Sequence, residues 1–250
     1  MLEYIVTFVV CLVAGALTGL VGIGGGLVIV PAFLILVNVL GIDLSMHLIV
    51  GISSSAVFFN SLITLYYRKN EEFLSTNDNI KNSVALIFGS FLGAVTSDYL
   101  TDFELNIVFL VTSIASAILL FKTFDCKIEK FLFYRYFLFF ISGALSACVG
   151  IGGATFFAII LRAFYHKKTK DLLATITLLV AVNAVFAFIG KVCINAIDFS
   201  LVPSVILGGA IGSKFGVVFS KKVKSPILRY IMIATIVLGI MTVVFEIFNR

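Results

Sequence analysis

Read for apolar and polar positions, the chain resolves into eight long hydrophobic runs joined by short charged connectors. They cover approximately residues 4–38, 45–67, 82–100, 105–121, 132–164, 172–192, 199–219 and 229–248. Most approach or exceed the ~20 residues that an α-helix needs to cross a bilayer. Two are anomalous. Tyr4 to Ile42 carries no charge, and as a single helix it would reach about 58 Å, too long for one crossing and barely enough for two. The fifth run has an uncharged core from Tyr136 to Leu161, which seen alone passes for one tilted span.

Charge decides how these runs are threaded. If all eight cross once, Lys and Arg fall about equally on both sides, against the positive-inside bias. If runs one and five instead turn back to the side they came from, nearly all basic residues collect on one face. Arg68, Lys69, Lys81, the Lys122–Arg135 cluster, Arg162, Lys167, Lys168, Lys170, Lys221, Lys222, Lys224 and Arg229 then share a side. Only Lys191 and Arg250 are left opposite, with Lys214 inside a run. The second threading is the one expected. It makes an all-α polytopic membrane protein with six crossings and two re-entrant, glycine-broken helical hairpins. Both termini lie outside the cytoplasm. Residues 1–123 form a first membrane repeat and 136–250 a second, with 124–135 as a cytoplasmic connector. Each half makes an odd number of crossings, so the halves are inverted relative to each other.

Composition agrees. The chain is 61% hydrophobic and 12% charged, with a mean hydropathy of +1.17, well above soluble-domain averages. No hydrophilic stretch is long enough to fold by itself. The net charge of +5 sits in short connectors, where topology explains it and nucleic-acid binding does not. The first run carries Glu3, lacks a basic start and is far longer than a signal-peptide core, so it reads as a membrane segment. Cys11, Cys126, Cys148 and Cys193 have no metal-ligand spacing, and no metal or other cofactor is implied.

The repeat is written in the glycines. Gly15-Ala-Leu-Thr-Gly-Leu-Val-Gly-Ile-Gly-Gly25 returns as Gly143-Ala-Leu-Ser-Ala-Cys-Val-Gly-Ile-Gly-Gly153, with eight of eleven positions identical. Each copy breaks the backbone inside an apolar run, which lipid tolerates only where the broken segment is buried in protein or lines a cavity. A matched pair of such breaks points to a substrate site near the midplane of a transporter. The clusters Gly22, Ile23, Gly24, Gly25, Gly26 and Gly150, Ile151, Gly152, Gly153, Ala154, followed by Thr155, would open the second leg of each hairpin. Free N–H groups and a positive helix end then suit an anion without any basic side chain. Tight helix packing is the competing use of the same glycines.

Weaker matches continue along the halves. Ser53, Ser54 and Ser55 before Asn60 correspond to Thr175 and Thr177 before Asn183, and Gly89 and Gly93 correspond to Gly208 and Gly212. The hydroxyls and amides could meet substrate oxygens or neighbouring helices, while the glycine series reads as close packing. Lys214 is placed to snorkel toward the basic face. The apolar interior holds almost no acidic residue, whereas cation pathways and proton relays commonly use Asp, Glu or His. No Walker A, HExxH or Gly-x-Ser-x-Gly motif occurs, so an enzyme is not expected.

At these residues the chain resembles the sulfite exporter TauE/SafE family of membrane transporters. Gly19-Leu-Val-Gly-Ile-Gly-Gly-Gly26 followed by Pro31 carries the resemblance, together with a GxxxG in the third element of each half. The second copy departs from the pattern at Ala154 and at Ile159, where the first has Pro31. The resemblance implies transport of a small anion such as sulfite, a sulfonate or a related organic anion, in the inner cell membrane. Other readings are a passive anion channel sharing the same constriction, and a membrane-embedded enzyme or assembly factor, for which no catalytic constellation is visible.

Overall fold

The structure, a computed structural model, describes residues 2–21, 25–40, 44–121, 132–167, 169–220, 222–223 and 225–249. Among these, the regular elements are all helical: α1 Leu2–Val21, α2 Gly26–Leu40, α3 Met46–Tyr67, α4 Thr76–Thr96, α5 Asp102–Phe121, α6 Leu132–Cys148, α7 Ala154–Tyr165, α8 Leu173–Cys193, α9 Val202–Ser220 and α10 Ser225–Asn249. Short 3₁₀ turns at Ser97–Tyr99 and Thr169–Leu172 lead into α5 and α8. The two overlong runs are each divided at their glycine clusters. Within α1, α3, α4, α8 and α9 lie segments long and apolar enough to cross a membrane, so the protein is a polytopic membrane protein. The connector at 122–131 lies outside the described residues.

Both divided runs fold back on themselves. Glu3, Val6 and Thr7 near the start of α1 line one crevice with Phe33 and Leu36 near the end of α2. In the second half Arg135, at the start of α6, donates to the Tyr165 hydroxyl at the end of α7 (2.8 Å). The turn between α6 and α7 is dictated by its glycines. Gly150 (φ +69°) ends α6 in the left-handed region, and the Ile151 amide reaches back to the Ser146 carbonyl at 3.0 Å. That is the six-to-one bond that closes helices ending on a left-handed glycine. Gly152 (φ +80°) and Gly153 (φ +71°) then redirect the chain into α7, a run of left-handed residues that side chains would oppose.

The helices pair in a pattern that survives exchanging the halves. α1 packs on α9 as α6 packs on α4, α3 on α9 as α8 on α4, and α2 on α3 as α7 on α8, while α3–α8 and α5–α10 join the two halves directly. Small residues make the tightest of these contacts. A Cβ on Gly212 would press on the Leu12 carbonyl and on Gly216 on the Ala16 carbonyl, just as on Gly89 it would meet the Phe140 carbonyl and on Gly93 the Ala144 carbonyl. Helices that approach this closely gain dispersion and weak Cα–H···O contacts, which replace the hydrophobic drive that lipid does not supply. These contacts correct the sequence alignment. The register that matches Gly15 with Gly143 also matches Leu12 with Phe140 and Ala16 with Ala144. The counterparts of Gly89 and Gly93 are therefore Gly212 and Gly216, and Gly208, against the Phe8 carbonyl, is an extra turn of the first-half seam.

α3 and α8 run antiparallel through the centre. Gly51 near the start of α3 abuts the Ala196 carbonyl just beyond α8. At the other end, the Leu74 amide donates to Thr175 Oγ1 near the start of α8 (3.0 Å). Phe58 and Phe188 stack where the helices cross, with ring centroids 4.7 Å apart.

Candidate functional site

The glycine clusters meet. A Cβ built on Gly26 would lie 2.6 Å from the Ile151 Cα and closer still to the Gly150 carbonyl oxygen. The opening residue of α2 thus rests directly on the turn before α7. From the other side Ser53 of α3 donates to the Gly150 carbonyl (2.8 Å). Ser54 Oγ stands against the same glycine and finds no hydrogen-bond partner among the described residues. Glycines are required here because three backbones share a space that side chains would fill.

α7 opens into this junction. Its N-cap is Gly153, which offers no side chain to the first turn. The first amide to bond back within the helix is that of Phe157, to the Gly153 carbonyl (3.0 Å), so the amides of Ala154, Thr155 and Phe156 have no intrahelical acceptor. They carry the positive end of the helix dipole. Thr155 Oγ1 bonds Ser116 of α5 at 3.1 Å. In the first half Gly25 sits on Ala14 and Thr18 of α1, and the Val28 and Ile29 amides bond its carbonyl. Gly25 does not have the positive φ of Gly153. It is small for lack of space, whereas Gly153 is small for both space and conformation. Gly22, Ile23 and Gly24 lie outside the described residues.

The two asparagines occupy equivalent positions with different partners. Asn183 Oδ1 accepts from Ser90 (2.6 Å) and Ser146 (3.3 Å), joining α8 to α4 and α6. Ser146 also underlies Gly153, so this cluster touches the start of α7. Asn60 is fully buried against Gly209, yet neither side-chain atom has a partner among the described residues, nor does the matched Ser213 hydroxyl. Thr175 accepts the Leu74 amide, Thr177 bonds the Leu173 carbonyl one turn back, and Ser55 bonds Gly51 likewise. Lys214 is exposed on the outer side of α9, away from the buried glycines.

Sequence reasoning passed over two buried cations. Arg68 and Lys191, read there as connector charges, are 1% and 0% exposed. Arg68 donates to the Gly19 carbonyl (2.8 Å), to Ser220 (3.2 Å) and to Glu71 (2.8 Å). Lys191 donates to Ser97 Oγ and to the Cys148 carbonyl (3.3 Å). Each therefore holds the carbonyl end of a hairpin's first helix and a serine at the end of a fourth-element helix. A signal was available: each stands eight residues after its matched asparagine, 60 to 68 and 183 to 191.

The chain is similar over its length to known membrane proteins. It is 26% identical to a probable membrane transporter protein of Methanocaldococcus jannaschii, an alignment covering 93% of this chain and 91% of that one. It is 22% identical to a probable membrane transporter protein of Bacillus subtilis, across 95% and 96% of the two chains. No solved structure matches it. The model of the sulfite exporter TauE/SafE family matches residues 7–243, nearly the whole described helical array, and the chain belongs to that family of membrane transporters.

Proposed function

We propose that the protein is a secondary transporter that moves a small anion, sulfite, a sulfonate or a related organic anion, by alternating access. The observation that carries this reading is the junction of Gly26 with Gly150, beside the uncapped opening of α7. There the backbone offers donors and a positive helix end, with no carboxylate among the described residues that the junction touches. The anion is held by the amides of Gly152–Ala154 and their counterparts at Gly24–Gly26, with Thr155 beside them. Ser53, Ser54, Asn60, Thr175, Thr177 and Asn183 line its approach, the unpartnered Ser54 hydroxyl and Asn60 amide foremost among them.

The two halves, 1–123 and 136–250, act as inverted repeats. The matched helix pairing and the antiparallel α3–α8 pair support this, because a pseudo-two-fold in the membrane plane relates two such packings. α1–α2 and α6–α7 serve as re-entrant hairpins whose turns exchange exposure between the two faces. The chain resides in the cell membrane with both termini outside the cytoplasm and 124–135 inside.

Flux of radiolabelled anion through reconstituted vesicles, normalised to folded protein, tests the reading. Gly153→Val forces a β-branched side chain to φ +71°, with its Cβ 2.6 Å from Phe157 Cζ and 2.8 Å from Ser146 Oγ. Gly25→Val drives its Cβ to 2.9 Å from that of Ala14. Both variants should lose transport. Wild-type flux in both would leave the clusters as packing devices and move the site to the polar faces around Asn60 and Asn183.

A further inference from the structure

We infer that Arg68 and Lys191 are the substrate's counter-charges, one for each end of the pathway, and that each surrenders a helix-end carbonyl to receive the anion. The inference rests on the transport reading above but not on its amide site. Four observations converge on it.

Both cations are buried within the helical array, where an ionisable group is costly and its retention marks function by default. Lys191 forms no direct ion pair with any carboxylate among the described residues; its acidic neighbour Asp98, beside Ser97, is exposed and attracts it only at longer range. Among the described residues its hydrogen-bond acceptors are a neutral hydroxyl and a neutral carbonyl, either of which an oxyanion outcompetes. The carbonyls involved are also specific in place. Cys148 precedes the Gly150 turn by two residues, and Gly19 precedes Gly22 by three. The cations thus hold the carbonyl ends of α1 and α6, the helices that lead into the two glycine clusters. Finally, the arrangement is duplicated. Arg68 with Ser220 and Gly19 matches Lys191 with Ser97 and Cys148, on the opposite ends of the antiparallel helices α3 and α8.

The consequence is a pair of latches with a common key. With the site empty, the negative end of α1 or α6 stands in for the anion and is held in place by the cation. An anion entering at one end takes over the cation there and frees that helix end, while the other latch remains shut. Arg68 has Glu71 as a second partner at 2.8 Å and so is the better neutralised of the two. Lys191 is the stronger anion acceptor.

Two measurements with methanesulfonate and sulfoacetate as probes decide the matter. In vesicles, Lys191→Gln should raise KM about tenfold or more, the worth of a charge-assisted hydrogen bond, with kcat changed far less. Lys191→Arg should restore most of the affinity. An equal KM in wild type and Lys191→Gln would overturn the inference. In the wild-type protein, acetylation of Lys191 by acetic anhydride, followed by peptide mass spectrometry, should proceed slowly without anion and severalfold more slowly with it. Labelling that ignores the anion, or no labelling under either condition, would show a sealed structural cap and refute the inference even where the glutamine variant does not fold. Absence of wild-type flux for both probes would instead refute the transport reading itself.

Discussion

Gly26→Ala isolates the contact between the two glycine clusters. Gly26 has an ordinary φ and opens a helix, so by local propensity alone alanine would stabilise α2 by up to about 1 kcal/mol. The tertiary contact opposes this. The new Cβ would stand 2.6 Å from the Ile151 Cα and nearer still to the Gly150 carbonyl oxygen, where carbon atoms at rest keep about 3.5–4.0 Å. Neither neighbour is a flexible side chain. The turn is held by its own six-to-one bond and by Ser53, so α2 itself must retreat by about 1 Å. Overpacking of this kind costs typically 1–3 kcal/mol, and with backbone on both sides the upper end applies. The clash wins, and we expect a net loss of about 2 kcal/mol, or roughly 5 °C in apparent Tm. Gly239→Ala in α10 is the internal control, because its Cβ would come no closer than 3.2 Å to Pro31 Cγ, with the Leu27 carbonyl oxygen at an ordinary 3.5 Å, while gaining the same propensity. Thermal unfolding of both variants in detergent, with anion flux on the same preparations, measures the difference. If Gly26→Ala is as stable as Gly239→Ala and transports at the wild-type rate, the close approach of the clusters is refuted.

Asn60→Leu removes two buried, unpartnered polar atoms and should leave stability unchanged or raised by about 1 kcal/mol, yet lower anion flux; unchanged flux would remove Asn60 from the pathway. Asn183→Leu removes the acceptor shared by Ser90 and Ser146, which retain the Leu86 and Gly143 carbonyls, and should cost about 0.5–1.5 kcal/mol in thermal unfolding; a gain in stability would contradict the bonding described. Gly93→Leu and Gly216→Leu, each driven into a helix backbone, should be about equally destabilising, by at least ~3 kcal/mol, with loss of folded protein in size-exclusion profiles as the readout. Cysteines introduced as Leu2→Cys, Ile128→Cys and Asn249→Cys in a cysteine-free background should label with a membrane-impermeant reagent from outside at positions 2 and 249 only; positions 2 and 128 on one side would sink the inverted-repeat threading.

Much of this protein is determined by short-range features that a sequence displays directly. Membrane insertion follows from the length and apolarity of the runs. The division of runs one and five follows from their glycine clusters, since no other stretch of the chain combines such length with such a backbone break. The duplication Gly15–Gly25 with Gly143–Gly153 was likewise legible, because local identity survives where three backbones crowd together. What tertiary structure alone decided are relations between distant segments. Gly89 and Gly212 proved to be partners through carbonyls on α6 and α1, which spacing along the chain cannot reveal once the loops differ in length. The contrast between bonded Asn183 and unpartnered Asn60 depends on which hydroxyls the neighbouring helices bring up. Arg68 and Lys191 are the clearest case. A charge at the end of an apolar run reads as a connector residue, and only the packing of α1, α6, α4 and α9 around α3 and α8 turns it inward. Burial is a property of the assembled bundle, and the sequence records only the residue types that burial acts upon.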